Sequence, residues 1–199
     1  MKKIFFNKES KMNIGWIILL VVVVVFYALY ASLIKTRNKV HESMADVDVQ
    51  LKKRYDLIPN LLNMAAKFME HEKTLMTELA DLRTRAMQNT FVGSPKEKME
   101  LENMLNQKLH DFKISLENYP DLKSNQTMIT AMESMNEVEE HIAAARRFYN
   151  ANVNELKNKV EIFPSSLVAR MLSITYNDFP FFQATEAEKA PINSKDYFK

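Results

Sequence analysis

The chain has 199 residues and only two glycines, Gly15 and Gly93, too few for the tight turns of a sheet-rich fold or for a glycine-rich phosphate loop. It has no cysteine, which excludes disulfides, thiolate metal sites and an acylated N-terminal cysteine. Its 27 basic and 25 acidic residues leave a formal charge of +2, without the basic excess of a nucleic-acid binder, so no nucleic-acid partner is expected.

Residues 1–11 are a basic flank carrying Lys2, Lys3, Lys8 and Lys11. The stretch 12–34, MNIGWIILLVVVVVFYALYASLI, has no charged residue. As a helix it reaches about 35 Å, against a hydrocarbon core of about 30 Å. Trp16 near one end and Tyr27 and Tyr30 near the other suit the two interfaces. A cleaved signal peptide has a shorter apolar region, about 7–15 residues. The segment therefore reads as a retained transmembrane helix, with the lipid bilayer as its partner. Lys35, Arg37 and Lys39 behind it nearly balance the lysines in front, so the charge pattern sets no orientation.

Residues 35–183 read as a helical domain. Val40, Met44, Val47, Leu51, Tyr55, Ile58, Leu62, Ala65 and Met69 follow one another at helical steps of three and four. The stripe continues through Met76, Leu79, Leu82 and Ala86, which predicts one long helix ending near Gln88. After the loop NTFVGSPKE, Ser94, Pro95 and Glu97 read as a capping box with proline at the first helical position. Leu101, Leu105, Leu109, Phe112 and Leu116 mark the next helix, which Pro120 ends. A third long helix spans about Asn125 to Ile162, with Met128, Met132, Met135, Ile142, Ala145, Tyr149, Val153, Leu156 and Val160 on its stripe. A short helix opens at Ser165 or Ser166, NDFPFF closes the domain, and 184–199 is a polar tail. The fold class is all-α: a transmembrane helix, then an elongated antiparallel bundle of three long helices and a short C-terminal one. The methionine content, 13, fits a soft core.

No chemistry stands out. His41-Glu42 and His71-Glu72 begin like a zinc-protease motif, but Ala45 and Leu75 stand where its second histidine belongs. No histidine has a glutamate three residues before it, as a di-iron bundle requires. No catalytic residue, cofactor or metal ligand is expected.

The blocks DVQLKKRYDLIPNLLN, HEKTL, ENYPDLKSNQ, ARRFYN and FPSSLVA, in that order, resemble the signature of the LemA family of membrane-anchored bacterial helical proteins. The match runs over residues 12–183. After FPSSLVA that family usually shows a Gly-Phe pair, whereas this chain reads RMLSITYNDF, so the closing turn is expected to differ. The resemblance implies a helical protein of the bacterial cell membrane with no established activity. A magnetosome relative in the family is tied to building an intracellular membrane.

Pro59 lacks a backbone N–H and clashes with the carbonyl of Tyr55. Either the helix kinks there, with Asn60 or Asn63 supplying a donor to that carbonyl, or DLIPN is a break between two helices. Arg54 and Asp56 read either as a solvated face or as one side of an interhelical ion pair, with Arg146 or Arg147 as partners for Asp56. With Tyr119, Pro120, Tyr149 and Asn150 from the signature blocks, these are the candidate structural and interaction residues. The expected function is a non-enzymatic membrane scaffold that self-associates through helix surfaces. The alternative is a regulatory adaptor for another membrane protein, such as a protease or transporter.

Overall fold

A computed structural model describes the backbone of residues 2–91 and 94–183, with side chains from Ile14 onward. The expected polar tail 184–199, and Val92 and Gly93 of the expected loop, lie outside the described residues. The protein is all-helical, with no strand among the described residues. Helix α1 is Lys2–Ala65, α2 Lys73–Gln88, α3 Pro95–Leu116, α4 Pro120–Lys123, α5 Gln126–Glu161 and α6 Ser165–Met171. The described residues fold as two units, one from 2–42 and 151–178, the other from the described part of 43–150 with 179–183.

In the first unit, α1 is long and apolar enough to cross a membrane. Every side chain from Trp16 to Val25 is at least half exposed. No protein covers them, and a run of bare Ile, Leu and Val is what hydrocarbon rather than water tolerates. Burial begins at Leu33, which packs with Val168 and Ala169 of α6, while Leu29, Val160 and Ile174 close around them. Just beyond the apolar stretch, buried Thr36 donates to Glu155 at 3.2 Å. Lys159 in turn reaches Glu155 at 2.9 Å and donates to the Thr36 hydroxyl at 2.5 Å. Those contacts hold the Glu155 carboxyl below its usual range, chiefly through the hydrogen bond from Lys159.

The departure at the end of α6 takes a specific form. The Ser173 N–H donates to the Arg170 carbonyl at 3.2 Å and the Ile174 N–H to the Ala169 carbonyl at 2.9 Å. Together with Ile174 packing on the Val168–Ala169 cluster, this is a Schellman closure. Its left-handed position is occupied by Ser173, φ 52°, where glycine is the unstrained residue.

In the second unit the stripe of α1 is buried at Met44, Val47, Leu51, Tyr55, Ile58, Leu61 and Ala65. Leu61 rather than the expected Leu62 faces the core. The expected single helix to Gln88 is two helices. The last turn tightens after Ala65, whose carbonyl accepts from both the Phe68 and Met69 N–H groups at 2.9 Å, and Met69 leaves the helical region with φ −107° and ψ 54°. A single 3-10 turn, Glu70–Glu72, leads into α2. Buried Met69 plugs the corner, and the turn lets α2 lay Leu79, Leu82 and Ala86 along α3. Pro59 does not break α1, which continues to Ala65. The expected capping box does not close: Ser94 makes no side-chain cap bond, although Pro95 does hold the first helical position. Asn125 caps α5 instead, its carbonyl oxygen accepting from the Thr127 and Met128 N–H groups at 3.0 and 3.3 Å.

Candidate functional site

The second unit is built around charges where helix periodicity calls for apolar residues. Arg54 lies three residues after Leu51 and four before Ile58, on the buried side of α1. Lys98 and Glu102 stand four apart on α3, and Glu102 precedes buried Leu105 by three. Arg54 and Glu102 are 0 % exposed and Lys98 2 %. Removing each such ion from water costs several kcal/mol, so their pairing decides whether the arrangement is tolerable.

The pairing is dense. Arg54 donates through Nη2 to Glu102 Oε2, and through Nη1 to Asn106 Oδ1 and, at 3.3 Å, to Glu139 Oε1 of α5. The Tyr55 hydroxyl donates to the other Glu102 oxygen. Lys98 Nζ lies 3.1 Å from that same oxygen, donates to the Tyr55 hydroxyl at 2.7 Å, and donates to the carbonyl of Ala86. That last bond satisfies a free carbonyl in the final turn of α2 and places a cation at the negative end of its dipole. Lys98 also lies 5.0 Å from the centre of the Tyr55 ring. One carboxylate thus holds two cations and a phenol, and the network ties α1, α2, α3 and α5 together.

Two groups of the cluster are shifted upward. Burial first, then the Glu102 charge and hydrogen bond, push the Tyr55 hydroxyl far above its ordinary range. Half-buried Asp48, about two turns before Tyr55 on α1, is raised by burial, with Lys98 opposing and Glu102 adding to the shift. Groups that are paired and locked in this way fix which face of one helix meets another, the best-attested use of buried polar residues.

Pro59 is served by a residue outside its own helix. The Tyr55 carbonyl that it frees accepts a hydrogen bond from Arg83 Nε of α2 at 2.6 Å. Asn60 and Asn63, the expected donors, are exposed. The expected pairing of Asp56 with Arg146 or Arg147 is also corrected. Asp56 is at the surface on Lys52, 2.6 Å away and four residues earlier, and Arg147 is exposed. It is Arg54 that carries the interhelical ion pair.

The block ARRFYN does different work. Asn150 clasps the closing segment in both directions: its Nδ2 donates to the Phe182 carbonyl at 2.9 Å, and its Oδ1 accepts the Phe182 N–H at 3.0 Å. Tyr149 donates to the Pro180 carbonyl at 3.1 Å, and burial pushes its hydroxyl well up. The Phe182 ring sits edge-on to Tyr149 and Phe91, with the Arg146 guanidinium 5.1 Å from its centre. Tyr119 and Pro120 shape the turn into α4, Pro120 holding its first position and the Tyr119 carbonyl accepting from Lys123 N–H at 3.0 Å. Among the described residues no three His, Cys, Asp or Glu side chains gather as a metal site.

Sequence reasoning missed Lys98, Glu102, Asn106, Glu139, Arg83 and Asp48. A signal for two of them was present. Lys98 and Glu102 fall in phase with Leu105 and Leu109, as Arg54 does with Leu51 and Ile58, so opposite charges interrupt two apolar stripes.

The LemA family model matches residues 43–194, which takes in the whole network. The Protein LemA of Metamycoplasma hominis is 21% identical over 176 residues, covering 86% of this chain and 78% of that protein. With the match extending over most of its length, the chain belongs to the LemA family.

Proposed function

We propose that this protein is a non-enzymatic, single-pass scaffold of the bacterial cell membrane, whose helices bundle antiparallel and self-associate through their outer surfaces. The observation that carries the reading is the uncovered apolar length of α1, exposed from Trp16 to Val25 and continuous with the stripe that enters the helical core. Two further features support it. The buried charges are committed to one another, which suits a device for holding helices in register rather than one for turning over a substrate. The outer surface of the second unit carries large apolar side chains, among them Val49, Met104, Ile114 and Phe148, each about half exposed. We read them as the side chains through which copies of the chain would meet.

The anchor is tested by carbonate extraction of membranes carrying the full chain or a chain lacking residues 1–34. The reading expects the full chain in the pellet and the shortened chain released. Release of the full chain contradicts it. A protein that is anchored but strictly monomeric when extracted would instead favour the adaptor for a second membrane protein.

A further inference from the structure

The segment joining α5 to α6 exposes more apolar surface than its surroundings explain. Ile162, Phe163, Leu167, Met171 and Leu172 are all exposed, Phe163 and Met171 each by 73 %. They are not scattered. Leu167 and Met171 lie one helical turn apart on α6, on the side away from buried Ser166, Val168 and Ala169, and Phe163 and Leu172 flank them at the two ends. A seven-residue helix that buries one side in protein and offers leucine and methionine on the other, with Phe163 in the turn before it, needs a second apolar phase.

Its position in the first unit says which phase. Val168 and Ala169 pack on Leu33, with Leu29 beside them. Leu29 and Leu33 belong to the last turns of the uncharged stretch, and the first charge after it is Lys35. At about 1.5 Å per residue, α6 sits beside the final ~8 Å of the apolar stretch. That matches the depth, about 5–10 Å, at which interfacial helices lie. The exposed apolar side of α6 thus lies at the level of the last turns of the apolar stretch, where Tyr27 and Tyr30 of α1 are themselves exposed. The polar groups fit the same level. Arg170 is exposed on α6, and Lys35, Arg37 and Lys39 are exposed within the two turns beyond Leu33. Glu161, which would repel an anionic headgroup, accepts from the Tyr176 hydroxyl at 2.9 Å.

We infer that α6 and the turn before it form a second membrane contact, an interfacial foot that inserts Phe163, Leu167 and Met171 among the upper acyl chains of the leaflet bearing Lys35, while Arg170 stays with the headgroups. The inference rests on the anchoring role proposed for α1. The foot fixes how deeply α1 sits, because α6 is packed on it at Leu33.

The absence of cysteine makes the test direct. Full-length chains carrying Leu167→Cys, Val21→Cys or Lys108→Cys are labelled with an environment-sensitive fluorophore. They are reconstituted in nanodiscs of phosphatidylcholine and phosphatidylglycerol, with or without phosphatidylcholine bearing a nitroxide high on its acyl chain. All three positions tolerate a label: Leu167 and Val21 are exposed, and Lys108 is a partly exposed, charged surface residue of the second unit. The expected result is quenching at Leu167 several-fold greater than at Lys108, with Val21 also quenched relative to Lys108. If Val21 is quenched and Leu167 behaves like Lys108, the foot is overturned and the anchor stands. If the Leu167 label is shielded from water but insensitive to the nitroxide, protein such as a second copy covers α6, and the inference is overturned. If neither is quenched, the anchoring role itself fails, and the foot with it.

Discussion

Removing Glu102 is the perturbation that most sharply separates a working ion network from incidental buried charge. Glu102 is the shared acceptor of Arg54, Tyr55 and Lys98, and all four side chains are almost wholly out of water. Glu102→Gln leaves two buried cations facing a neutral amide, with the partly exposed Glu139 carboxylate 3.3 Å from Arg54 and the half-buried Asp48, which feels Lys98, as the remaining anions. Breaking a buried pair by removing one partner costs about 3–5 kcal/mol, and Glu102→Gln belongs at the upper end because two partners are stranded. Arg54→Met is milder. Lys98 remains 3.1 Å from Glu102, so charge stays balanced, and the loss is that of hydrogen bonds at about 1–3 kcal/mol. The two changes must be strongly non-additive, because adding Arg54→Met to Glu102→Gln removes one of the stranded cations. The assay is urea unfolding of the full chain in detergent, followed by far-UV circular dichroism. The double variant is expected to be no less stable than Glu102→Gln alone. Strict additivity, or a Glu102→Gln cost below about 1 kcal/mol, would refute the reasoning.

Arg83→Met leaves the Tyr55 carbonyl without its donor and should cost about 1–3 kcal/mol. The same change should be nearly silent in a Pro59→Ala background, where the restored N–H takes over, and equal costs in both backgrounds would contradict the assignment. Ser173→Gly relieves a left-handed serine at the end of α6 and should raise stability by roughly 1 kcal/mol, read as a higher thermal midpoint. Asp48 titrates above its ordinary range in the folded protein, mainly through burial, so the folded state holds that proton more tightly than the unfolded one. Its ionisation therefore lowers stability as pH rises from the ordinary carboxylate range through the raised value. Asp48→Asn should accordingly stabilise the protein at neutral pH and lose its advantage in acid; a gain that persists unchanged at low pH would contradict the sign.

The helices were legible because their apolar residues keep step and because Pro95 at a helix start and Pro120 at an interruption obey local sterics, although the short helix α4 that Pro120 opens was not read. The corner at 66–72 was not. Ala65, Met69, Met76 and Leu79 preserve helical phase across it, and no glycine or proline marks the turn. Periodicity records which residues are buried and is blind to a change of chain direction that keeps them buried. Pro59 was recognised as a displaced hydrogen bond, yet its replacement donor, Arg83, comes from α2, and sequence adjacency cannot supply it. The network was half legible. LKKRYD drew notice for its charge, but the conspicuous acid in it, Asp56, is satisfied locally by Lys52, whereas the partner of Arg54 lies 48 residues on. Asn150 was singled out through its signature block, but its partner is the backbone of Phe182, which no side-chain pattern reveals.

The central claim is that a membrane-anchored chain assembles with copies of itself through its outer helix surfaces. Its most direct test is the protein mass of the complex extracted in detergent, by light scattering with the detergent contribution subtracted, for the wild type and for a variant carrying Ile114→Lys and Phe148→Lys. Both residues are exposed, so the variant should fold. The account predicts a mass of at least two chains for the wild type and a lower mass for the variant at equal helix content. A wild-type mass of one chain across the accessible concentration range would contradict it.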